Sequence, residues 1–372
     1  MQTAMTLEDL LVTVIEQKAT KADYLTSTES AIEMVETDQG MQLSLDNGST
    51  FNQLFGITDH AHKQIAARLK IPSAYYHRLL KDHPDLVQLQ VNELFKREPQ
   101  DRMLRTLDGN LRAFLSSSYK RLDNDAVLQH TLPAIVNGDI ETQLLSSNVT
   151  DTKMYMKVLL PDTNLQQVIG ETRDGSPDII HPAFILSNSE VGSGALSIKA
   201  FFYRTFCTNG CTFGNIDNAL DFKRTHLGGR LIQGTDFSVV SDETRENEDR
   251  LLISQTTDIL RSIASPDFSQ MMGDKLRATK QTEKVINPEA AVERVAKELN
   301  LRDSERADVL EGFIKDQDYS KWGMANAVTQ VANNEQQVTY DRACELEEIG
   351  GKILGLGNSA WSRVARTEKA AA

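Results

Sequence analysis

Met103-Leu104-Arg105-Thr106-Leu107, Asp108-Gly109-Asn110 and Leu111-Arg112-Ala113-Phe114-Leu115 run consecutively, and the fold turns on how they are read. Two short, apolar-rich runs flank an Asp-Gly pair, and Asp-Gly supplies the positive φ angles that a tight hairpin needs. This predicts two antiparallel strands. The same pattern recurs downstream. Thr142 to Leu145 and Met154 to Leu160 read as one extended pair, joined by the polar Ser146 to Lys153. Ala183 to Leu186 and Ala195 to Cys207 read as another, joined by the Ser- and Gly-rich stretch from Ser187 to Gly194. Repeated hairpins with few helices between them predict an antiparallel core over residues 101–240, without a parallel β-α-β crossover.

Outward from that core the periodicity changes. Residues 1–100 read as a small mixed unit. Thr6 and Asp9 stand in capping-box positions before an apolar-periodic helix. Ala31 to Glu36 and Met41 to Leu45 make a hairpin, and Thr58 and Pro72 open two helical stretches. From residue 243 the three- and four-residue spacing of apolar side chains predicts helices over Glu248 to Ile263, Pro288 to Leu299, Asp303 to Lys315 and Trp322 to Leu354. The reading is therefore α+β: an N-terminal unit (1–100), an antiparallel β-hairpin core (101–240), a helical C-terminal region (241–357) and a flexible tail (358–372).

The 372-residue chain carries a net charge of −13, with 40% hydrophobic residues and only 9 prolines. That excludes collagen-like, low-complexity and wholly disordered classes. No apolar run is long enough for a membrane span, and the N-terminus lacks the basic start of a signal peptide. Three cysteines make no disulfide framework, so a cytoplasmic location is expected. The charge is uneven: −5 over residues 1–100, −2 over 101–240 and −6 over 241–372. An acidic chain argues against wholesale binding to nucleic acid or anionic membrane, although a local basic stripe can overrule the average.

No motif names a reaction. Cys207 and Cys211 are separated by three residues, and a structural zinc site wants four ligands; they read as buried structural cysteines. Gly192 and Gly194 fit neither a dinucleotide fingerprint nor a phosphate-binding P-loop, and Gly228-Gly229 shares that standing. His60 and His62 read as exposed or capping rather than metal-binding, and Asp217 and Asp221 as solvated charges. There is no nucleophile elbow and no His-Glu-x-x-His. No cofactor, metal or catalytic residue is assigned, and enzymatic activity is left open with a lean against it.

Two basic clusters stand out instead. Arg102, Arg105, Arg112, Lys120 and Arg121 lie in or after the first core hairpin. Lys199, Arg204, Lys223, Arg224 and Arg230 lie in or after the last, where residues 198–230 are net +3. Interleaved aromatics include Phe202. Basic groups beside rings are what single-strand binders use, charges tracking phosphates and rings stacking on bases.

Three stretches together resemble a known family: Arg112 to Asn124, Ser189 to Gly210, and Arg224 to Gly229, with Trp322 to Thr329 as a fourth. The family is the phage/plasmid-like protein family described as domain of unknown function 932, and the similarity covers most of residues 55–355. It has no settled activity, so the resemblance implies no catalytic residues. Its mobile-element setting implies DNA replication, recombination or host defence. The expectation is a single-stranded DNA binder serving recombination or replication, working by strand annealing as a homo-oligomer. Its two basic clusters would converge on one groove, with Arg204, Lys223 and Arg224 beside the first-hairpin arginines. The alternative is a non-catalytic factor that engages a phage or host protein.

Overall fold

The computed structural model describes residues 4–46, 48, 51–136, 138–172, 175–204, 210–212, 221–224, 242–333 and 338–367. The chain opens with α1 (Leu7–Thr20), followed by strands β1 (Ala22–Ser27), β2 (Ile32–Thr37), β3 (Gly40–Leu45) and β4 (Gln53–Ile57). Three helices come next, α2 (Asp59–Arg68), α3 (Ser73–Asp82) and α4 (Pro84–Arg97), and then the hairpin β5 (Asp101–Leu107) and β6 (Asn110–Ser116). Asp108 and Gly109 both have positive φ, 49° and 76°, so the two-residue turn takes the twist that favours hairpin closure. The fold is α+β.

The hairpin closes as expected but joins a different sheet. β5 pairs with β1, and the six-stranded order is β1-β5-β6-β4-β3-β2. Leu104, Leu111 and Phe114 share a core with Ile65, Tyr76, Leu79, Val91 and Phe95 of α2 to α4. The first hairpin therefore belongs to the N-terminal unit, whose helices supply the apolar surface that buries it. Among the described residues one pairing is parallel: Gly56 and Ile57 of β4 lie beside Asn110 and Leu111 of β6, after a connection through α2, α3, α4 and β5. Every described pairing between strands of residues 101–240 is antiparallel, as expected; the parallel pairing arises only where β6 meets β4 of the N-terminal unit.

Beyond α5 (Asn124–Val136) lies a seven-stranded sheet. Its path is built from β7 (Gln143–Val149), β8 (Met154–Leu159), β10 (Pro177–Asn188), β11 (Leu196–Arg204) and β12 (Gly210–Thr212). β9 (Gln167–Glu171) pairs with β10, and β13 (Asp221–Arg224) with β11; every one of these pairings is antiparallel. One face carries Met156, Phe184, Ile198 and Phe202 into the main core. That core also takes Leu10 and Val14, so α1 packs with this sheet rather than with the N-terminal unit; Met5 bridges Ser147 of β7. The other face, with Tyr155, Ile185 and Phe201, meets Cys344.

The C-terminal region is helical: α6 (Asp242–Ile263), α7 (Pro266–Lys280), α8 (Pro288–Leu299), α9 (Asp303–Asp316), α10 (Lys321–Ala332), α11 (Tyr340–Leu354) and α12 (Asn358–Ala365). The expected Trp322–Leu354 helix is two helices, and the expected tail contains α12. Trp361 is buried there and donates from Nε1 to the Glu283 carbonyl at 2.8 Å, which anchors the segment.

Candidate nucleic-acid interface

Arg102, Arg105 and Arg112 of the first basic cluster are buried. Fully buried Arg105 donates from Nε to Asp23 at 2.8 Å, from Nη2 to Asp123 at 2.6 Å, and from Nη1 to the Glu190 carbonyl at 2.9 Å. Burial opposes its charge, but the hydrogen bonds and charges of Asp23 and Asp123 outweigh burial and raise its pKa. Arg112 pairs with the buried Glu190 carboxylate. The Asn124 amide donates to Glu190 at 2.7 Å, and Asn188 donates to the Asn124 side chain at 2.9 Å. Exposed Arg121 reaches Asp23 at 3.1 Å, and Lys120 is exposed. Here β5, β6 and the start of α5 clamp the loop that follows β10. Gly192 sits in that loop at φ 77°, and a Cβ there would lie 2.7 Å from Leu115.

Asp123, Asp125 and Glu190 bring carboxylate oxygens within 4.8 Å of one another. Such a trio suits a cation, and the chain supplies its own. The Lys21 ammonium lies 2.9 Å from Asp123, 2.9 Å from Asp125 and 3.4 Å from Glu190. Burial acts against both aspartates' charges, but Arg105 and Lys21 at Asp123, and Lys18 and Lys21 at Asp125, outweigh it and hold both pKa values down.

The second cluster is also neutralised where it is described. Lys199 pairs with Glu348 at 2.7 Å. Phe202 is buried and stacked on Phe268. Arg204 grips the buried Asp178 through Nε at 2.6 Å and Nη2 at 3.0 Å, Lys280 reaches the same carboxylate at 2.6 Å, and both cations lie over Trp322. The Lys223 and Arg224 backbones stand opposite Ser197 and Leu196, at the start of β11. Their side chains lie outside the described residues, as do Arg230, Cys207 and the side chain of Cys211.

Among the described residues the two basic clusters do not meet in one groove. Arg204 ends β11 whereas β13 pairs with its beginning, and Asp178 stands near the start of β10 whereas Glu190 lies in the loop just past its end. At about 3.3 Å per residue that is a separation on the order of 30 Å. The first hairpin, for its part, sits in the other sheet.

A third basic group lies in the N-terminal unit. Residues 60–81 hold Lys63, Arg68, Lys70, Arg78 and Lys81 and not one carboxylate. Thr58 caps α2, and Pro72 precedes α3. The helices meet through His62, whose Nδ1 is 2.9 Å from the Tyr76 hydroxyl. Burial pushes the His62 pKa down to about 4, so His62 is a neutral packing group. His60 lies 3.0 Å from the Val191 carbonyl. Both histidines are thus committed to packing and hydrogen bonds. The five cations are exposed, and none has an ion-pair partner among the described residues. Tyr75 is 43% exposed, with the Arg78 guanidinium 5.5 Å from its ring centroid. Solvated cations beside an accessible ring are the arrangement expected of a single-strand surface. A charge count over a window of about twenty residues finds this group; the count over residues 1–100 averages it away.

The model of the family described as Domain of unknown function (DUF932) matches residues 113–369. The chain belongs to this family. No curated protein and no solved structure matches the chain. The DUF932 match begins inside β6, so it includes Glu190 and Asp123 but not their partners Arg105, Arg112 and Lys21. Helices α2 and α3 also precede it. Among the described residues no helix is long and apolar enough to cross a membrane.

Proposed function

We propose that this chain binds single-stranded nucleic acid through the exposed surface of α2 and α3, without covalent chemistry. The observation that supports this most is the set of five exposed cations without carboxylate partners among the described residues, in a chain that pairs Arg105, Arg112, Lys199 and Arg204 with carboxylates. Phosphates would be held by Lys63, Arg68, Lys70, Arg78 and Lys81, and a base would stack on Tyr75. Phosphate contacts carry no base information, so binding would be sequence-tolerant. A role in replication or recombination of a mobile element, with strand annealing by an oligomer, fits such a surface.

Fluorescence anisotropy with a labelled oligonucleotide at several salt concentrations tests the reading. Five single-strand phosphate contacts give a slope of log affinity against log salt of about −3.5, or roughly a hundredfold loss between 50 and 200 mM. A chain whose surface serves a protein partner would leave the oligonucleotide unbound.

A further inference from the structure

Arg102 differs from every other basic residue of the first hairpin. Only 4% of it is exposed, yet it belongs to none of the ion pairs among the described residues, and its Nε has no hydrogen-bond partner. The Phe114 ring lies beside it, with the guanidinium 5.7 Å from the centroid. A buried polar group without a partner is costly, and native chains rarely keep one unless an ion or water completes it.

The surroundings add positive charge. Arg102 stands opposite Ser116 of β6 and Thr26 of β1, so all three share the sheet face covered by α2 to α4. α2 runs alongside β6: the Thr58 amide bonds the Leu111 carbonyl at 3.0 Å, and the Phe114 amide bonds Gln64 at 2.7 Å. One helical turn beyond Gln64 advances about 6 Å, as do two strand residues. That places Arg68 over Ser116, beside Arg102. Burial first, and then the like charge of Arg68, lower the Arg102 pKa to about 10, while Asp101 opposes them weakly from the other face of β5. Two guanidiniums thus act on one another at this seam near Ser116, and neither forms an ion pair with a carboxylate among the described residues.

We propose that Arg102, Arg68 and the Ser116 hydroxyl form a phosphate-binding site at the seam between α2 and β6, filled by one phosphate of a bound nucleic-acid strand. Guanidinium forks match phosphate oxygens in geometry and charge. The site rests on the proposed surface, since Arg68 belongs to both. It adds an inner anchor to the outer cations.

The test uses the full chain, with inorganic phosphate and a single-stranded oligonucleotide as separate probes. Phosphate, at ionic strength matched with chloride, should raise the thermal unfolding midpoint of the native chain but not that of Arg102→Met. In phosphate-free buffer Arg102→Met should unfold at a higher temperature than the native chain, because it loses an unpartnered buried charge; a merely structural arginine predicts the reverse. Arg102→Met should also lower the magnitude of the oligonucleotide salt slope by about 0.7, one phosphate contact. Arg102→Lys keeps the charge without the fork, and should weaken both effects without unfolding the chain.

A phosphate shift that survives in Arg102→Met overturns the site. So does oligonucleotide binding that depends on Lys63, Lys70 and Arg78 but ignores Arg102, and that outcome leaves the surface standing. An Arg102-dependent phosphate shift in a chain that binds no oligonucleotide overturns the strand as the ligand, together with the surface, and assigns the site to free phosphate.

Discussion

Around Glu190, Lys21, Arg105 and Arg112 each reach a carboxylate, and the sheet, the start of α5 and the loop after β10 are held by those bonds. Along α2 and α3, Lys63, Arg68, Lys70, Arg78 and Lys81 meet none among the described residues, and all five face solvent. The two regions are similarly rich in basic residues, but the fold uses them differently. In the first, removing one partner leaves a charge stranded in low dielectric. In the second, removing a cation alters the surface field and little else. A count of basic residues cannot tell these apart; the position of the nearest carboxylate does.

The largest expected effect is at the clamp. Glu190→Ala strands Arg112 and one face of Lys21, and should destabilise the chain by about 3–5 kcal/mol in urea unfolding. Lys63→Ala, tested alongside, should stay within about 0.5 kcal/mol of the native chain. Equal losses in the two variants would erase the contrast.

The next effect is in pH. His62 has a folded pKa of about 4 against an unfolded value of 6.5. Between those values the unfolded chain binds the extra proton, so stability falls as pH drops from about 6.5 to about 4, by on the order of 3 kcal/mol. His181, lowered by burial, contributes with the same sign. Asp123 and Asp125 have depressed pKa values, so their contribution is lost at lower pH, from about 4 downward. His62→Asn should flatten the upper limb of the unfolding profile and leave the lower one.

Local signals in the sequence were readable because their physics is local. Thr6 and Asp9 do form a reciprocal cap, Asp108-Gly109 does turn the hairpin, and α8 does run from Pro288 to Leu299. Which sheet the hairpin joins depends on β1, some eighty residues upstream, and no window over residues 101–116 contains that information. The same holds for the basic clusters. Arg105 and Arg112 read as a binding stripe until Asp23, Asp123 and Glu190 arrive from distant segments. Arg102 can be recognised as unpartnered only once its neighbours are placed.

A smaller effect sharpens the surface side of the comparison. Tyr75→Ala should weaken oligonucleotide binding by about 1–3 kcal/mol and leave the salt slope unchanged, because stacking releases no counterions. A changed slope would make Tyr75 a determinant of where the cations sit rather than a stacking platform. Smallest of all, Arg294→Ala removes an exposed pair with Glu298 and should shift stability by at most about 0.5 kcal/mol, with no effect on binding.

The most direct measurement is the salt dependence of oligonucleotide affinity in the native chain and in a variant with Lys63, Lys70, Arg78 and Lys81 replaced by Ala. The native chain should show a slope near −3.5, and the variant, losing four contacts, a slope reduced in magnitude by about 2.8, with the same unfolding midpoint. A folded variant that binds with the native slope, or a native chain that binds no oligonucleotide at low salt, would contradict the assignment of this surface to nucleic acid.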